Sequence, residues 1–110
     1  MSPRTELAQN AKLYIDEHYQ DKFSLKEIAD YLHVNESYLL RTFSKELGTT
    51  MLNYHNRVRV GHAADMLKNS KQSISYISDS VGCVSSAHFS RLFKKFYNCT
   101  PSEYRKNKSH

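Results

Sequence analysis

The chain repeats one short pattern at a distance of about fifty residues. The string RLFKKF at residues 91–96 has the same Arg-x-Phe-x-Lys spacing as RTFSKE at residues 41–46. The likeness continues upstream, where residues 24–32 and 73–81 each begin with Ser and carry apolar residues at matching positions. A pattern that recurs in this way predicts two copies of one supersecondary unit.

Apolar residues recur at helical spacing along nearly the whole chain. Only three Gly and two Pro interrupt its 110 residues, which argues against a turn-dense β fold. We predict an all-α fold of about seven helices, in which two helix-turn-helix subdomains are joined by a long linker helix. The predicted segments are a first helix over about 4–20, a helix-turn-helix over about 25–47, a linker helix over about 51–68, a second helix-turn-helix over about 74–97 and a short closing helix from about 101.

Residues suited to helix ends mark several of these boundaries. Ser24 opens S-L-K-E, a capping box, and T-P-S-E at residues 100–103 opens the closing helix in the same way. Asn35 and Ser85 are suited to cap the second helix of each copy. Gly48 follows the first of these helices and Asn98 follows the second, and both residue types enter the left-handed conformation readily. The spacing of the copies rises from 49 to 50 residues between the paired helices, so the second turn is expected to carry one extra residue.

The apolar residues of these helices predict which sides face the core. In the second helix of each copy the inward residues are expected to be Leu39, Phe43 and Leu47, and Phe89, Phe93 and either Phe96 or Tyr97. In the linker helix the candidate inward residues are Tyr54, Val58, Ala63, Met66 and Leu67.

The opposite sides of these two helices each combine one Arg with small side chains. The candidate DNA-binding residues are Ser37, Leu40, Arg41, Ser44 and Lys45 in the first copy, and Ser86, Ala87, Ser90, Arg91, Lys94 and Lys95 in the second. Small neighbours permit close approach to base edges, where Arg pairs with guanine O6 and N7. The Lys side chains suit phosphates, and Leu40 suits a thymine methyl group. The alternative is that these are solvated surface residues.

Positive charge is concentrated in the second half of the chain. The net charge is +5, yet residues 1–65 carry eight Lys/Arg against nine Asp/Glu, whereas residues 66–110 carry eight against two. This distribution suits a polyanion such as nucleic acid or an anionic membrane, although a basic surface without a partner is equally compatible with it.

Other chemistry finds little support in the sequence. No apolar run approaches the roughly 18 residues of a membrane span, and the two lone cysteines predict a reducing cytoplasm rather than a disulfide framework. The six histidines, among them His110, form no zinc-ligand spacing with each other or with Cys83 and Cys99. No nucleophile motif or phosphate loop is present, so we expect neither an enzyme nor a cofactor.

Residues 24–50 and 73–105 resemble the two helix-turn-helix halves of the AraC/XylS family of bacterial transcriptional regulators. The strings SRLFKKF and TPSEYR in the second half are the most specific part of the resemblance. The resemblance implies a cytoplasmic DNA-binding domain whose two recognition helices enter successive major grooves of double-stranded DNA. It assigns base reading to the serines, Leu40, Ala87 and the two arginines of the faces described above.

The chain departs from the family pattern at three positions. Cys83 stands where the family usually has Phe, Asn98 where it usually has Gly, and His55 where an apolar residue is usual. Cys83 and His55 are expected to loosen the packing between the linker helix and the second half.

The predicted partner is double-stranded DNA, with RNA polymerase as a second candidate and no membrane. The isolated domain is expected to bind as a monomer to two unlike blocks about 10 base pairs apart. The rival hypothesis is an all-helical adaptor that binds another protein. Whether the chain is a stand-alone regulator or the C-terminal part of a longer one stays open.

Overall fold

The computed structural model describes residues 1–108, which form seven α-helices. They are α1 (Pro3–Glu17), α2 (Leu25–Leu32), α3 (Glu36–Leu47), α4 (Met51–Asn69), α5 (Ile74–Ser80), α6 (Ser86–Tyr97) and α7 (Pro101–Lys108). The predicted all-α class is therefore confirmed. The chain divides into two compact units, one of residues 1–55 and one that begins at Asn56. Within residues 1–108 no helix has the length and apolarity needed to cross a bilayer, and His110 lies outside the described residues.

The first unit is built on α1, which packs against both α2 and α3. Its core consists of side chains that are almost entirely excluded from solvent: Ala8, Ala11, Ile15, Ile28, Ala29, Leu39 and Phe43. The Ser24 hydroxyl accepts the amide of Glu27 at 3.2 Å, as the capping-box pattern predicts for the start of α2. Because Leu39 and Phe43 turn one face of α3 to this core, the opposite face of α3 lies towards solvent.

The first helix is shorter than the sequence predicts. It ends at Glu17 rather than near residue 20, because His18 adopts a non-helical conformation at φ −122° and ψ 24°. The amide of Asp21 then donates to the carbonyl of His18 at 3.0 Å and closes a turn. The His18 ring also packs on Tyr14, with ring centroids 4.2 Å apart. This local turn takes the place of the last helical turn that the apolar spacing had predicted.

Both short helices end in the same left-handed motif. In the first copy His33 has φ 58°, and the amide of Val34 donates to the carbonyl of Ala29 at 3.0 Å. In the second copy Gly82 has φ 86°, and the amide of Cys83 donates to the carbonyl of Ser78 at 3.0 Å. These six-to-one bonds are those of a Schellman motif. The duplication therefore extends to the backbone of the turn, even though His occupies in one copy the position that Gly occupies in the other.

The two longer helices of the copies have matching ends. Asn35 Oδ1 accepts the amide of Tyr38 at 3.1 Å at the start of α3, and Ser85 Oγ accepts the amide of His88 at 3.0 Å at the start of α6. Gly48 at φ 70° and Asn98 at φ 60° end the helices in the left-handed conformation. The predicted caps are confirmed at all four ends.

The buried stripe of α4 differs from the predicted one. Of the five residues expected to face inward, Ala63 and Leu67 are buried, whereas Tyr54, Val58 and Met66 are only half-buried. Five buried residues are spaced by four along the helix, and two further buried residues lie beside them; the seven are Met51, His55, Arg59, Val60, Ala63, Ala64 and Leu67. The prediction was only partly right, because it chose the inward residues from the apolar side chains alone and so left out His55 and Arg59.

A cluster of aromatic side chains lies in the second unit. Phe93 is fully buried, stacks on Tyr97 with ring centroids 4.6 Å apart, and meets Phe89 and Tyr104 at 5.9 and 5.4 Å. Tyr97 rather than Phe96 therefore completes the predicted inward stripe of α6, although both are half-buried. Edge-to-face and stacked pairs of this kind add stability beyond the area they bury.

The closing helix α7 is fixed at its start and along its side. The amide of Thr100 donates to a carboxylate oxygen of Glu103 at 2.8 Å, while the amide of Glu103 donates to the Thr100 hydroxyl at 3.2 Å. Hydrogen bonds from the backbone amide and from the side chain of Thr100 to the carboxylate lower the pKa of Glu103. Arg105 Nε donates to the carbonyl of Leu67 at 3.1 Å, which ties α7 to the end of α4. The predicted reciprocal cap is confirmed, and α7 is held against α4 within the second unit.

Candidate nucleic-acid interface

One side of α3 gathers all five of the predicted residues of the first copy. Ser37, Leu40, Arg41 and Lys45 are exposed and Ser44 is half-buried, and we call these five residues the first recognition face. Leu39 and Phe43 turn to the core on the other side, together with Thr42, which the sequence did not predict to be buried. Leu40 is 40% exposed, so its apolar side chain is available to a ligand.

One side of α6 gathers the six predicted residues of the second copy. We call this set the second recognition face: Ser86, Ala87, Ser90, Arg91, Lys94 and Lys95. Ser90 is half-buried and the other five are exposed. On the opposite side Phe89, Leu92 and Phe93 are buried. The Phe of each Arg-x-Phe-x-Lys repeat thus anchors its helix, which leaves the Arg of the same repeat in solvent.

The lysines of the second recognition face have neighbours within their own unit. The charge of Lys94 contributes, after the two hydrogen bonds from Thr100, to the lowered pKa of Glu103. Lys95 Nζ lies 5.6 Å from the centre of the Phe96 ring, within the range of a cation–π contact. Both lysines are in the last turn of α6, where positive charge also favours the helix dipole. They nevertheless stay exposed and accessible to a phosphate.

Comparisons with known proteins identify the family. The sequence profile described as "Helix-turn-helix domain" matches residues 28–107. A solved structure from Chromobacterium violaceum, a transcriptional regulator of the AraC-type DNA-binding domain-containing proteins, superposes with a TM-score of 0.88 and 28% identity over 96% of this chain and 94% of its own. The chain belongs to the AraC-type helix-turn-helix family.

Other relatives of this AraC-type domain are regulators as well. The C-terminal domain of AraT, a response regulator from Geobacillus stearothermophilus, gives a TM-score of 0.91 at 29% identity and covers 99% of this chain and 88% of that one. The uncharacterized HTH-type transcriptional regulator YisR of Bacillus subtilis is 34% identical over 105 residues. That alignment covers 96% of this chain but 37% of YisR, so the AraC-type domain spans little more than a third of that relative.

A further basic residue lies beside the first recognition face of the AraC-type domain. Arg4, near the start of α1, lines the same cleft as Arg41 and Lys45, together with Tyr38, Thr42 and Glu46. The Thr5 hydroxyl donates to a carboxylate oxygen of Glu46 at 2.7 Å and holds the start of α1 against α3. Arg4 was not predictable as a neighbour of this face, because it stands 37 residues before Arg41 and shares no motif with it. Only the packing of α1 on α3 brings these charges together.

Two of the three departures from the AraC-type pattern occupy the core. The pKa of the Cys83 thiol is raised by burial, while a hydrogen bond and the positive charge of Arg59 act in the opposite direction. His55 belongs to the first unit, where its ring and the Phe23 ring meet edge to face with centroids 5.5 Å apart. The effect of His55 on packing with the second half stays a prediction. Cys83 does lie beside the linker helix, in contact with its Arg59.

No group of three or more His, Cys, Asp and Glu side chains suited to a metal ion occurs within residues 1–108. Cys83 is buried and Cys99 is half-buried, and both are reduced thiols.

Proposed function

We propose that this AraC-type domain binds double-stranded DNA sequence-specifically and thereby regulates bacterial transcription. The observation that carries the proposal is the matched pair of capped helices, α3 and α6, each of which presents one exposed Arg among small side chains. An α-helix fits the major groove, and small residues let its backbone approach the base edges. The names of the relatives, which describe transcriptional regulators and a DNA-binding domain, support the same function.

The residues of the two faces divide into base-reading and phosphate-binding roles. Arg41 and Arg91 are proposed to pair with guanine, and Leu40 to contact a thymine methyl group. Lys45, Lys94 and Lys95 are proposed to bind phosphates and so to fix the orientation of the helices. Arg4 joins this second group, because it shares a cleft with Arg41 and Lys45.

The two faces differ in composition, so the proposed site is asymmetric. A single copy of the domain is proposed to contact two unlike blocks about 10 base pairs apart, one block for each recognition helix. RNA polymerase is proposed as a protein partner and the cytoplasm as the location, since the relatives are transcriptional regulators.

Selection of bound sequences from a random DNA pool tests this function. The expected result is enrichment of one non-palindromic site with two conserved blocks, and a specific affinity that exceeds the non-specific affinity by at least about a thousandfold at physiological salt. Enrichment of no sequence above the starting pool would refute the proposal. A palindromic site occupied by one copy per half would refute the single-copy arrangement.

The salt dependence of DNA binding is predicted to reveal the phosphate contacts. Each contact that is lost should reduce the slope of log K against log salt by about one unit. Replacing both Lys94 and Lys95 by Ala is therefore expected to reduce the slope by about two units, and Arg4→Ala by about one. Titrations at several salt concentrations on the selected site and on unrelated DNA measure this, and both DNAs should lose affinity to a similar degree.

Lys12→Ala is the matched control for Arg4→Ala on the same helix. The Lys12 Nζ lies 5.8 Å from the centre of the Tyr54 ring, which places it away from the cleft that Arg4 lines. Its replacement should leave the slope unchanged. An unchanged slope for Arg4→Ala as well would show that Arg4 does not bind phosphate.

A further inference from the structure

The turn between α5 and α6 contains one residue more than the turn between α2 and α3. In the first copy the Schellman motif ends at Val34, and the cap of α3 follows at once at Asn35. In the second copy the motif ends at Cys83, and Val84 separates it from the cap of α6 at Ser85. Val84 is 88% exposed, so its own side chain contributes little to fixing the turn.

A buried hydroxyl crosses this longer turn. Ser78 is completely buried in α5, and its Oγ donates to the carbonyl oxygen of Ser85 at 3.2 Å. The same carbonyl accepts the amide of Phe89 at 2.9 Å, which is the first backbone bond of α6. Ser78 is therefore bonded directly to the residue that begins the recognition helix.

The first copy lacks such a bond because its equivalent residue is an alanine. Ala29 occupies the position of Ser78 in the repeat, is buried as well, and accepts the corresponding backbone bond of the turn. Alanine is thus compatible with the motif, and the hydroxyl is not required for the turn itself. It is present where the turn is longer and the helix cap is further from the Schellman motif.

We propose that Ser78 is a positioning residue for the second recognition face: its hydroxyl holds the start of α6 across the extra residue Val84. This proposal rests on the proposed function, since the consequence of correct positioning is the reading of bases by Ser86, Ala87, Ser90 and Arg91. A start of α6 that is less restrained places these side chains less accurately against their block. The first recognition face, which belongs to the other unit, is independent of this bond.

Ser78→Ala in the full chain tests the proposal. Affinities are measured for the selected site, for a site altered only in the block read by α6, and for a site altered only in the block read by α3. A side-chain hydrogen bond contributes about 0.5–1.5 kcal/mol, so discrimination at the α6 block is expected to fall by about two- to tenfold. Discrimination at the α3 block is expected to stay unchanged.

Ser80→Ala is the matched control. It makes the same change in the same helix, and its hydroxyl donates to the carbonyl of Tyr76 at 2.8 Å within α5. Discrimination at both blocks should survive this substitution. Unchanged discrimination in Ser78→Ala, or an equal loss at the two blocks, would overturn the proposal, because neither result is specific to α6.

Amide hydrogen exchange of the DNA-free protein tests the hydrogen bond between Ser78 and Ser85 without relying on DNA binding. In Ser78→Ala the amides of His88 and Phe89 should exchange about two- to tenfold faster, while those of Tyr38 and Leu39 in the first unit should not change. Unchanged exchange at His88 and Phe89 would overturn the proposal. If the wild-type chain shows no base preference at either block, the proposed function is refuted instead. The exchange measurement then still decides whether Ser78 restrains α6.

Discussion

Replacing Arg41 or Arg91 by Ala is expected to weaken binding to the selected site by about 1–3 kcal/mol each, and to relax the base preference at a different block in each variant. Both side chains are exposed, and each recognition face also carries small residues, Ser37 and Ser44 with Arg41 and Ala87 and Ser90 with Arg91. The loss should be specific, because a bidentate Arg–guanine pair stabilises one base pair and no other. Competition binding against a panel of single-base-pair variants measures both effects.

Arg57→Ala is the control for the loss of one positive charge. Arg57 is exposed on α4 and lies outside both recognition faces. Its replacement should leave the base preference at both blocks unchanged. If Arg41→Ala or Arg91→Ala also retains full affinity and preference, the helix that carries this residue does not read bases.

Replacing Phe93 by Ala is expected to reduce the free energy of unfolding of the second unit by about 3–5 kcal/mol. The Phe93 ring is fully buried and contacts Phe89, Tyr97 and Tyr104, so its removal leaves a cavity at the junction of α6 and α7. A domain of this size has a total stability of about 5–15 kcal/mol, so the loss is a large part of it. Urea denaturation followed by circular dichroism measures the change.

Phe96→Ala provides the comparison within the same helix. Phe96 is half-buried and lies beside the exposed Lys95, so its truncation should cost far less stability than that of Phe93. Equal losses in the two variants would contradict the assignment of Phe93 as the anchor of α6. Because Phe93 and Arg91 belong to one repeat, the pair of experiments separates the residue that holds the helix from the residue that is proposed to read DNA.

The repeated pattern made much of the local structure predictable. Helix ends depend on groups within a few residues, and the caps at Ser24, Asn35, Ser85 and Thr100 therefore form where the sequence predicts them. The sides of α3 and α6 were predictable for the same reason, since two buried residues spaced by four fix the orientation of a helix with a period of 3.6 residues. These residues are Leu39 and Phe43 in α3, and Phe89 and Phe93 in α6. The functional roles of the exposed sides stay predictions.

The linker helix shows where periodicity misleads. A hydropathy pattern assigns His55 and Arg59 to the solvent side, yet both lie on the buried side of α4. Burying a polar side chain is favourable only where the surrounding structure satisfies it. For Arg59 the partner is Cys83, which accepts a hydrogen bond from it, whereas the His55 ring packs edge to face with Phe23. Cys83 and Phe23 are both distant in sequence from the residues they contact.

The sequence by itself determined the two copies, the ends of most helices and the two outward faces, because all of these depend on residues within one or two helical turns of each other. Only the tertiary structure placed Arg4 in the cleft of Arg41 and joined the Ser78 hydroxyl to the carbonyl of Ser85. These contacts depend on how separate helices pack, and nothing in the local spacing specifies that packing. The extra residue of the second turn was visible in the sequence, but the bond that crosses it was decided by the burial of α5 against α6.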